Sequence, residues 1–202
     1  MARLVTAGKV AGLLLCFFPW VLSAQENVFP TNRNGTWDFS VWTAGATGEE
    51  NTNSFAEARI WTAGVFIGRT ITGEIGSSWR RGNLEYAFNL IPVFVTYKNQ
   101  TVRGGGFEPV VLRWNSSLHT SRVLPYIELG GGAVATTANL PPGKTSSFNF
   151  TAKGGGGIHV FTKKRQSFDV GLHWWHISNA NLGVRNPEFN GIQLALGYHW
   201  FK

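Results

Sequence analysis

Strict alternation of apolar and polar side chains near the C-terminus constrains the fold of this chain more than any other feature. Over 190–201 the even positions carry large apolar side chains, namely Ile192, Leu194, Leu196, Tyr198 and Trp200. The odd positions carry polar or small ones, namely Gln193, Ala195, Gly197 and His199. The stretch 167–178 repeats this pattern, again with its apolar residues at even positions. Because successive side chains of a strand point to opposite faces, both stretches predict strands with one apolar and one polar face.

The remainder of the chain also has the pattern of β-strands. Short alternating segments are broken by Gly, Asn and Pro clusters, and no window after the first 24 residues predicts a long helix. We predict eight strands, over 36–45, 55–79, 84–97, 107–114, 123–137, 147–161, 167–178 and 190–201. The second is unusually long, and a break near Thr70 to Gly73 would divide it. Since bacterial barrels have an even number of strands, we treat it as one bulged strand.

Aromatic residues and glycines favour a membrane barrel over a soluble sandwich. The chain contains nine Trp, 15 Phe and 25 Gly, which suits aromatic girdles at both membrane interfaces and close strand approach. The ending Tyr198-His199-Trp200-Phe201 resembles the C-terminal signal of outer-membrane barrels, although Lys202 follows it. We therefore predict an all-β fold, an eight-stranded antiparallel transmembrane β-barrel in which the last two strands direct their even positions toward lipid. A secreted sandwich shows the same alternation but would extract into buffer without detergent.

The first 24 residues differ from the rest and predict a cleaved signal peptide. Arg3 and Lys9 form a basic start, an apolar stretch covers 10–21, and a small-residue cleavage site ends at Ala24. The apolar stretch is shorter than the roughly 20 residues that a membrane-spanning helix needs. We therefore divide the chain into a signal peptide, 1–24, and an outer-membrane β-barrel domain, 25–202. Lipidation at Cys16 is the alternative, but leucines precede that cysteine where a small residue is usual.

Cysteine content, charge and glycine spacing exclude several classes of function. Because Cys16 is the only cysteine, the mature chain has neither a disulfide nor a cysteine nucleophile. The mature chain keeps 16 basic and 11 acidic residues, a net formal charge of +5, which in an exported protein favours lipid phosphates over nucleic acid. The glycine runs at 104–106, 130–132 and 154–157 lack the following helix and Lys-Ser/Thr pair of a phosphate loop, so we expect strand glycines.

Histidine spacing gives no reason to expect a metal or other cofactor. The five histidines, at 119, 159, 173, 176 and 199, show no close metal-binding spacing. His173 and His199 fall on the odd, inward face, where a structural role is expected. His176 and Ser178 instead continue the even, lipid-facing side beyond Trp174.

A histidine and a serine two residues apart on a strand can act as base and nucleophile. Their side chains share a face about 7 Å apart along the strand, so rotamers can bring imidazole to hydroxyl. The alternative is that both polar groups lie at the strand end among lipid headgroups, where they cost little. With both termini periplasmic, the 179–189 loop is extracellular, so this pair lies at the outer-leaflet end of the wall.

The residues around this pair resemble a family motif. His176-Ile177-Ser178-Asn179-Ala180-Asn181-Leu182 and Asn186-Pro187-Glu188-Phe189-Asn190 are similar to the lipid A 3-O-deacylase (PagL-type) family. The likeness is tight over 176–190 and looser over 81–97, 104–115 and 125–132. It implies an eight-stranded barrel whose outer wall carries a Ser-His-Glu triad that hydrolyses the ester-linked acyl chain at position 3 of lipid A. Outer-membrane phospholipase A also has a His-x-Ser-Asn core, but it is a twelve-stranded barrel that this chain is too short to form.

The resemblance assigns roles residue by residue. His176 would be the base, Ser178 the nucleophile and Asn186 a side-chain donor to the oxyanion. The family's Glu, 14 residues after the histidine, is Asn190 here. An asparagine can hold the imidazole tautomer but cannot offset imidazolium charge. Glu188 could supply the missing carboxylate, so both residues stay candidates for the orienting group.

The sequence therefore predicts an outer-membrane serine esterase acting on lipid A or lipopolysaccharide. It needs no cofactor and no nucleic-acid partner, and a homodimer is left open. The alternative function is a non-catalytic small barrel with a structural or adhesive role, in which the His-Ser motif would be coincidental.

Overall fold

The computed structural model describes residues 33–48, 58–97, 101–118 and 122–202. The predicted signal peptide and His119 lie outside these ranges. The described residues form a closed barrel in which each strand pairs antiparallel with the next and β1 pairs with β8. The strands are β1 (Trp37–Gly48), β2 (Arg59–Thr70), β3 (Gly82–Tyr97), β4 (Arg103–Ser116), β5 (Val123–Leu140), β6 (Ser146–Lys163), β7 (Gln166–Ser178) and β8 (Phe189–Phe201). The predicted fold class and strand number are confirmed.

The predicted orientation of the last two strands is also confirmed. In β7 and β8 the odd positions face the interior and are buried except for the half-buried Ala195, whereas the large apolar residues at even positions are exposed except for the half-buried Tyr198. Leu172 and Leu194 are examples, with 56% and 52% of their surface accessible. An exposed apolar belt on a closed barrel is the arrangement of a membrane-spanning wall, since lipid and not water then contacts those side chains. Among the residues that the structure describes, no helix is long and apolar enough to cross a bilayer.

The length predicted for the second strand is wrong. β2 ends at Thr70, and the following residues form a turn that contains a short 3-10 helix, Ser78–Arg80. Gly76 and Ser78 have positive φ angles of 83° and 53°, which a regular strand cannot accommodate. The segment looked like a strand because Ile71 and Ile75 alternate with polar residues, but both side chains are about half exposed in the turn.

The glycine runs lie inside strands, as predicted, and the barrel interior is filled by charged side chains. The Arg113 guanidinium contacts Glu128 at 2.8 Å, and the Lys153 ammonium contacts Glu108 at 3.0 Å and Glu128 at 3.2 Å. All four side chains are at most 10% exposed. Buried charges are tolerated only when they are paired in this way, so the interior is a packed polar core.

The two ends of the described chain meet at one rim of the barrel. The N–H of Trp37 donates to the carbonyl of Lys202 at 2.8 Å. With eight strands, the ends of β1, β3, β5 and β7 lie at the opposite rim, together with the connections 141–145 and 179–188. In outer-membrane barrels the termini and short turns are periplasmic, so the 179–188 loop is on the extracellular side.

Candidate active site

His176 and Ser178 lie at the extracellular end of β7 with their side chains on the outer wall. Both are partly buried, and His176 Nε2 is 3.0 Å from Ser178 Oγ. This distance is a normal hydrogen bond. The i, i+2 spacing on one strand face therefore brings imidazole and hydroxyl together, because both side chains leave the backbone on the same side.

Asn190 faces His176 from the neighbouring strand. The two residues are direct cross-strand partners in the β7–β8 register, and His176 Nδ1 is 2.8 Å from Asn190 Oδ1. An amide oxygen can only accept a hydrogen bond, so Nδ1 carries the proton. Nε2 of the neutral ring is then the acceptor for the Ser178 hydroxyl, which is the tautomer that a general base requires.

Glu188 directly precedes β8 and contacts Asn190. The Asn190 Nδ2 group donates to Glu188 Oε2 at 3.3 Å. The structure therefore brings together all four residues considered for the catalytic group, and it places the two candidates for the orienting group in series. Asn190 touches the imidazole, while Glu188 touches the far end of the Asn190 amide.

Asn186, the predicted oxyanion donor, lies in the loop beside Ser178. Its Oδ1 accepts a hydrogen bond of 2.8 Å from the backbone N–H of Asn179, the residue after Ser178. This bond directs the oxygen end of the amide toward the backbone and makes Nδ2 the donor end. The Asn179 N–H is engaged by Asn186 and is therefore not available to an oxyanion, as the backbone N–H after the nucleophile is in other hydrolases.

A tight turn directly after Ser178 fixes this loop. Ala180 and Asn181 have positive φ angles of 48° and 64°, and the N–H of Leu182 donates to the carbonyl of Asn179 at 3.0 Å. Two consecutive positive φ angles with such a bond define a type I′ turn. Asn179 is fully buried, and its Nδ2 donates to the carbonyl of Arg185 at 2.8 Å. The turn and this bond hold the chain on which Asn186 lies.

The adjacent 141–145 loop supports the 179–188 loop from the side. The N–H of Arg185 donates to the carbonyl of Lys144 at 2.9 Å. Gly183 packs so closely on Thr145 that a Cβ at this glycine would come within 2.7 Å of the Thr145 carbonyl. Glycine permits this approach because it lacks the Cβ atom. The site therefore depends on two loops, of which only one carries its candidate residues.

Two features of the site were not found from the sequence. The Trp174 ring stacks on the His176 ring with centroids 5.8 Å apart and an interplanar angle of 20°. Asn179 clamps the loop from its buried position. The stacking of Trp174 on His176 could have been found, because both residues lie on the even face of the same strand. Nothing in the sequence indicated the hydrogen bonds of Asn179.

The outer wall beside His176 is lined by small residues on β5 and β6. Ala152 pairs directly with His176, and Gly131 pairs with Ala152 from the next strand. Two residues closer to the periplasm, Gly154 lies between Trp174 and Leu129. We call Gly131, Ala152 and Gly154 the small-residue strip. On the lipid-facing surface, the side chains beside His176 are therefore small, whereas the cross-strand partner of Ser178 is the large, exposed Phe150.

Three potential metal-ligand residues lie close together in the barrel interior, although their spacing in the sequence did not indicate it. Ligand atoms of Asp38, His159 and His199 lie within 4.8 Å of one another, a grouping hidden by their wide sequence separation. Arg113 stands beside them, with its guanidinium 3.6 Å from the Asp38 carboxylate and 3.4 Å from the His159 ring. This guanidinium already supplies the positive charge of the cluster and would repel a metal cation. His173 and His199 are buried on the inward face, as predicted.

Fold and site together define a class of protein: an outer-membrane β-barrel with a hydrogen-bonded serine and histidine on its lipid-facing wall. A family model described as lipid A 3-O-deacylase (PagL) matches residues 22–199. The chain therefore belongs to the PagL lipid A 3-O-deacylase family, and the predicted resemblance is confirmed.

Solved structures show the same fold. The crystal structure of the outer membrane enzyme PagL has 19% identity and a TM-score of 0.55, covering 78% of this chain and 97% of that one. The outer membrane protein OprG from Pseudomonas aeruginosa has 10% identity and a TM-score of 0.53, covering 86% and 99%. Neisserial surface protein A has 13% identity and a TM-score of 0.54, covering 83% and 99%. No curated protein sequence matches the chain.

Proposed function

We propose that this protein hydrolyses the 3-O-linked acyl ester of lipid A with Ser178 as nucleophile and His176 as base. The observation that carries the proposal is the hydrogen-bonded series Ser178, His176 and Asn190 on the lipid-facing wall, with distances of 3.0 and 2.8 Å. Polar groups facing lipid are costly, so such a series at this position indicates chemistry on a membrane substrate. Family membership indicates which substrate.

The reaction balances with the groups present. Ser178 Oγ attacks the ester carbonyl carbon while its proton passes to His176 Nε2. The tetrahedral oxyanion accepts a hydrogen bond from the Asn186 side chain. When the intermediate collapses, the bond to the sugar oxygen breaks, and that oxygen takes the proton from His176. Water then attacks the acyl-Ser178 ester by the same route in reverse, releasing the fatty acid and restoring the serine.

In this proposal Asn190 orients His176 throughout the cycle. Its Oδ1 holds the Nδ1 proton and so keeps Nε2 available to the serine. Asn190 is 8% exposed, so water competes little for this bond. An amide is neutral, however, and the imidazolium that forms during each proton transfer needs stabilisation from elsewhere. The Trp174 ring, stacked on the imidazole, offers a π-face to that cation.

Access to the site comes from the membrane plane. The small-residue strip lies directly beside His176 on the outer wall, and the exposed Phe150 ring lies beside Ser178, so an acyl chain lying along the wall would approach the Ser178 hydroxyl over the strip and against that ring. A substrate in the outer leaflet reaches such a site by lateral diffusion. The cavity inside the described barrel is lined by paired charges, which do not suit an acyl chain.

We also propose that the chain is exported with residues 1–24 as a cleaved signal peptide and that 25–202 form the mature protein. The homodimer that the sequence left open stays open.

The proposed function is tested by removing either member of the Ser-His pair. Ser178→Ala and His176→Ala should each abolish release of 3-O-acyl chains, as followed by mass spectrometry of lipid A from cells that express each variant. The double variant should be hardly worse than either single one, because residues that act as one unit are not additive. Heat-shift gels verify that each variant still forms a barrel. Wild-type deacylation by Ser178→Ala would refute the assignment of the nucleophile.

A further inference from the structure

The orienting contact of His176 contains an ambiguity that the histidine alone cannot resolve. An asparagine amide has an acceptor end and a donor end of nearly equal shape. If Oδ1 faces the ring, Nδ1 is protonated and Nε2 accepts from Ser178. If the amide rotates by half a turn, Nδ2 faces the ring, Nδ1 becomes the acceptor and Nε2 carries the proton. A protonated Nε2 cannot remove a proton from serine, so the second orientation is inactive.

Glu188 resolves this ambiguity from the other side of the amide. A carboxylate only accepts hydrogen bonds, so a carboxylate within reach of Asn190 selects the orientation that turns Nδ2 toward it. The 3.3 Å contact between Asn190 Nδ2 and Glu188 Oε2 has this polarity. Because Nδ2 faces Glu188, Oδ1 at the other end of the amide faces the ring and lies 2.8 Å from His176 Nδ1.

We propose that Glu188 is a positioning residue that acts through Asn190: it fixes the amide orientation, and thereby the tautomer of His176, and relays negative charge toward the imidazolium. This inference rests on the proposed function. Asn190 and Glu188 are then not alternatives for the group that orients His176, because both act. They form a hydrogen-bonded series of four residues, Ser178, His176, Asn190 and Glu188, in which the Asn190 amide lies between the Glu188 carboxylate and the imidazole ring. The bond from Asn190 to the Glu188 carboxylate is charge-assisted, and by polarising the amide it also strengthens, to a smaller extent, the bond between Asn190 and His176.

The test is a comparison of Glu188→Gln in three backgrounds, measured as the deacylation rate of purified full-length protein on lipid A in detergent micelles. In the wild-type background we expect a loss of roughly ten-fold, since a charged acceptor becomes a neutral group that no longer selects one amide orientation. Glu188→Asp keeps the charge and should recover part of this loss. Glu74→Gln, which removes a carboxylate in the periplasmic turn, is the matched control and should behave as wild type.

The other two backgrounds separate positioning from a structural role. In Asn190→Ala the link between Glu188 and the ring is missing, so adding Glu188→Gln should cause no further loss. In Asn190→Glu a carboxylate contacts His176 directly, and adding Glu188→Gln should leave or raise the rate because two neighbouring carboxylates no longer repel each other. Heat-shift gels verify folding, and either background alone suffices if the other does not fold.

Two results would overturn the inference: a wild-type rate for Glu188→Gln, or the same ten-fold loss in all folded backgrounds, which would indicate a structural role. Both are distinguishable from failure of the proposed function. If Ser178→Ala keeps its activity, the function assignment fails. If Ser178→Ala is inactive while Glu188→Gln meets either condition above, only the role of Glu188 is wrong.

Discussion

Blocking the small-residue strip tests whether substrate reaches Ser178 along the outer wall. Ala152 is the direct cross-strand partner of His176, and such partners have Cβ atoms about 4.5–5.5 Å apart. An indole at this position is longer than that separation and would cover the imidazole and the hydroxyl beyond it. A displacement of reacting groups by 1 Å can cost about 10²-fold in rate. We therefore expect Ala152→Trp to lower kcat/KM for lipid A by at least about 10²-fold.

A second substrate and a matched variant make the result specific. A short, soluble ester needs no path along the wall, so its hydrolysis by Ala152→Trp should fall much less than that of lipid A. Ile158→Trp places the same ring on the same strand and face, but six residues closer to the periplasm, about 20 Å away by the usual rise of a strand. It should retain activity. Deacylation of lipid A by Ala152→Trp within a few-fold of wild type would refute approach over the strip.

The other predictions concern the oxyanion and the mature chain. Asn186→Ala should lower the deacylation rate by roughly 10²–10³-fold without changing the heat-shift of the barrel, because one oxyanion donor is lost; a rate near wild type would assign that donor elsewhere. The mature protein should begin at Gln25 by N-terminal sequencing, fractionate with outer membranes and migrate differently on gels before and after heating, because a closed barrel resists detergent until its hydrogen-bonded ladder melts. An N-terminus that retains the first 24 residues would contradict signal-peptide cleavage.

The strands that were predicted best are those with one face against lipid and the other against the polar interior. In β7 and β8, lipid on one side and a polar interior on the other force a strict period of two, so their bounds and faces were readable from sequence. The second strand was predicted too long because its following turn, exposed through Ile71 and Ile75, also alternates. Turn geometry there depends on positive φ angles at Gly76 and Ser78, and a serine gives no sequence signal of that conformation.

The residues that lie together in the candidate site could be predicted from the sequence, but their hydrogen-bond partners on neighbouring strands could not. His176 and Ser178 share a strand face, so their contact follows from spacing. Asn190 and Glu188 could only be ranked as rivals, because their places depend on the register between β7 and β8 and on where β8 begins. Contacts between distant segments could not be predicted: the 2.8 Å hydrogen bond between the Asp38 carboxyl group and His199 Nδ1 joins the first and last strands, and only barrel closure brings those strands together.

The position of the candidate site in one hairpin has a consequence for how such a protein can evolve. Every candidate residue, from Trp174 to Asn190, belongs to a single hairpin made of β7, its loop and β8. Among the described residues, those of the other six strands contribute a wall, a supporting loop and a polar interior, and none of them is a candidate. A candidate site confined to 17 consecutive positions would be modular, because exchange of one hairpin would transfer it without redesign of the barrel. The amino-acid sequences of the other six strands could then diverge widely while the hairpin that carries the candidate site is kept.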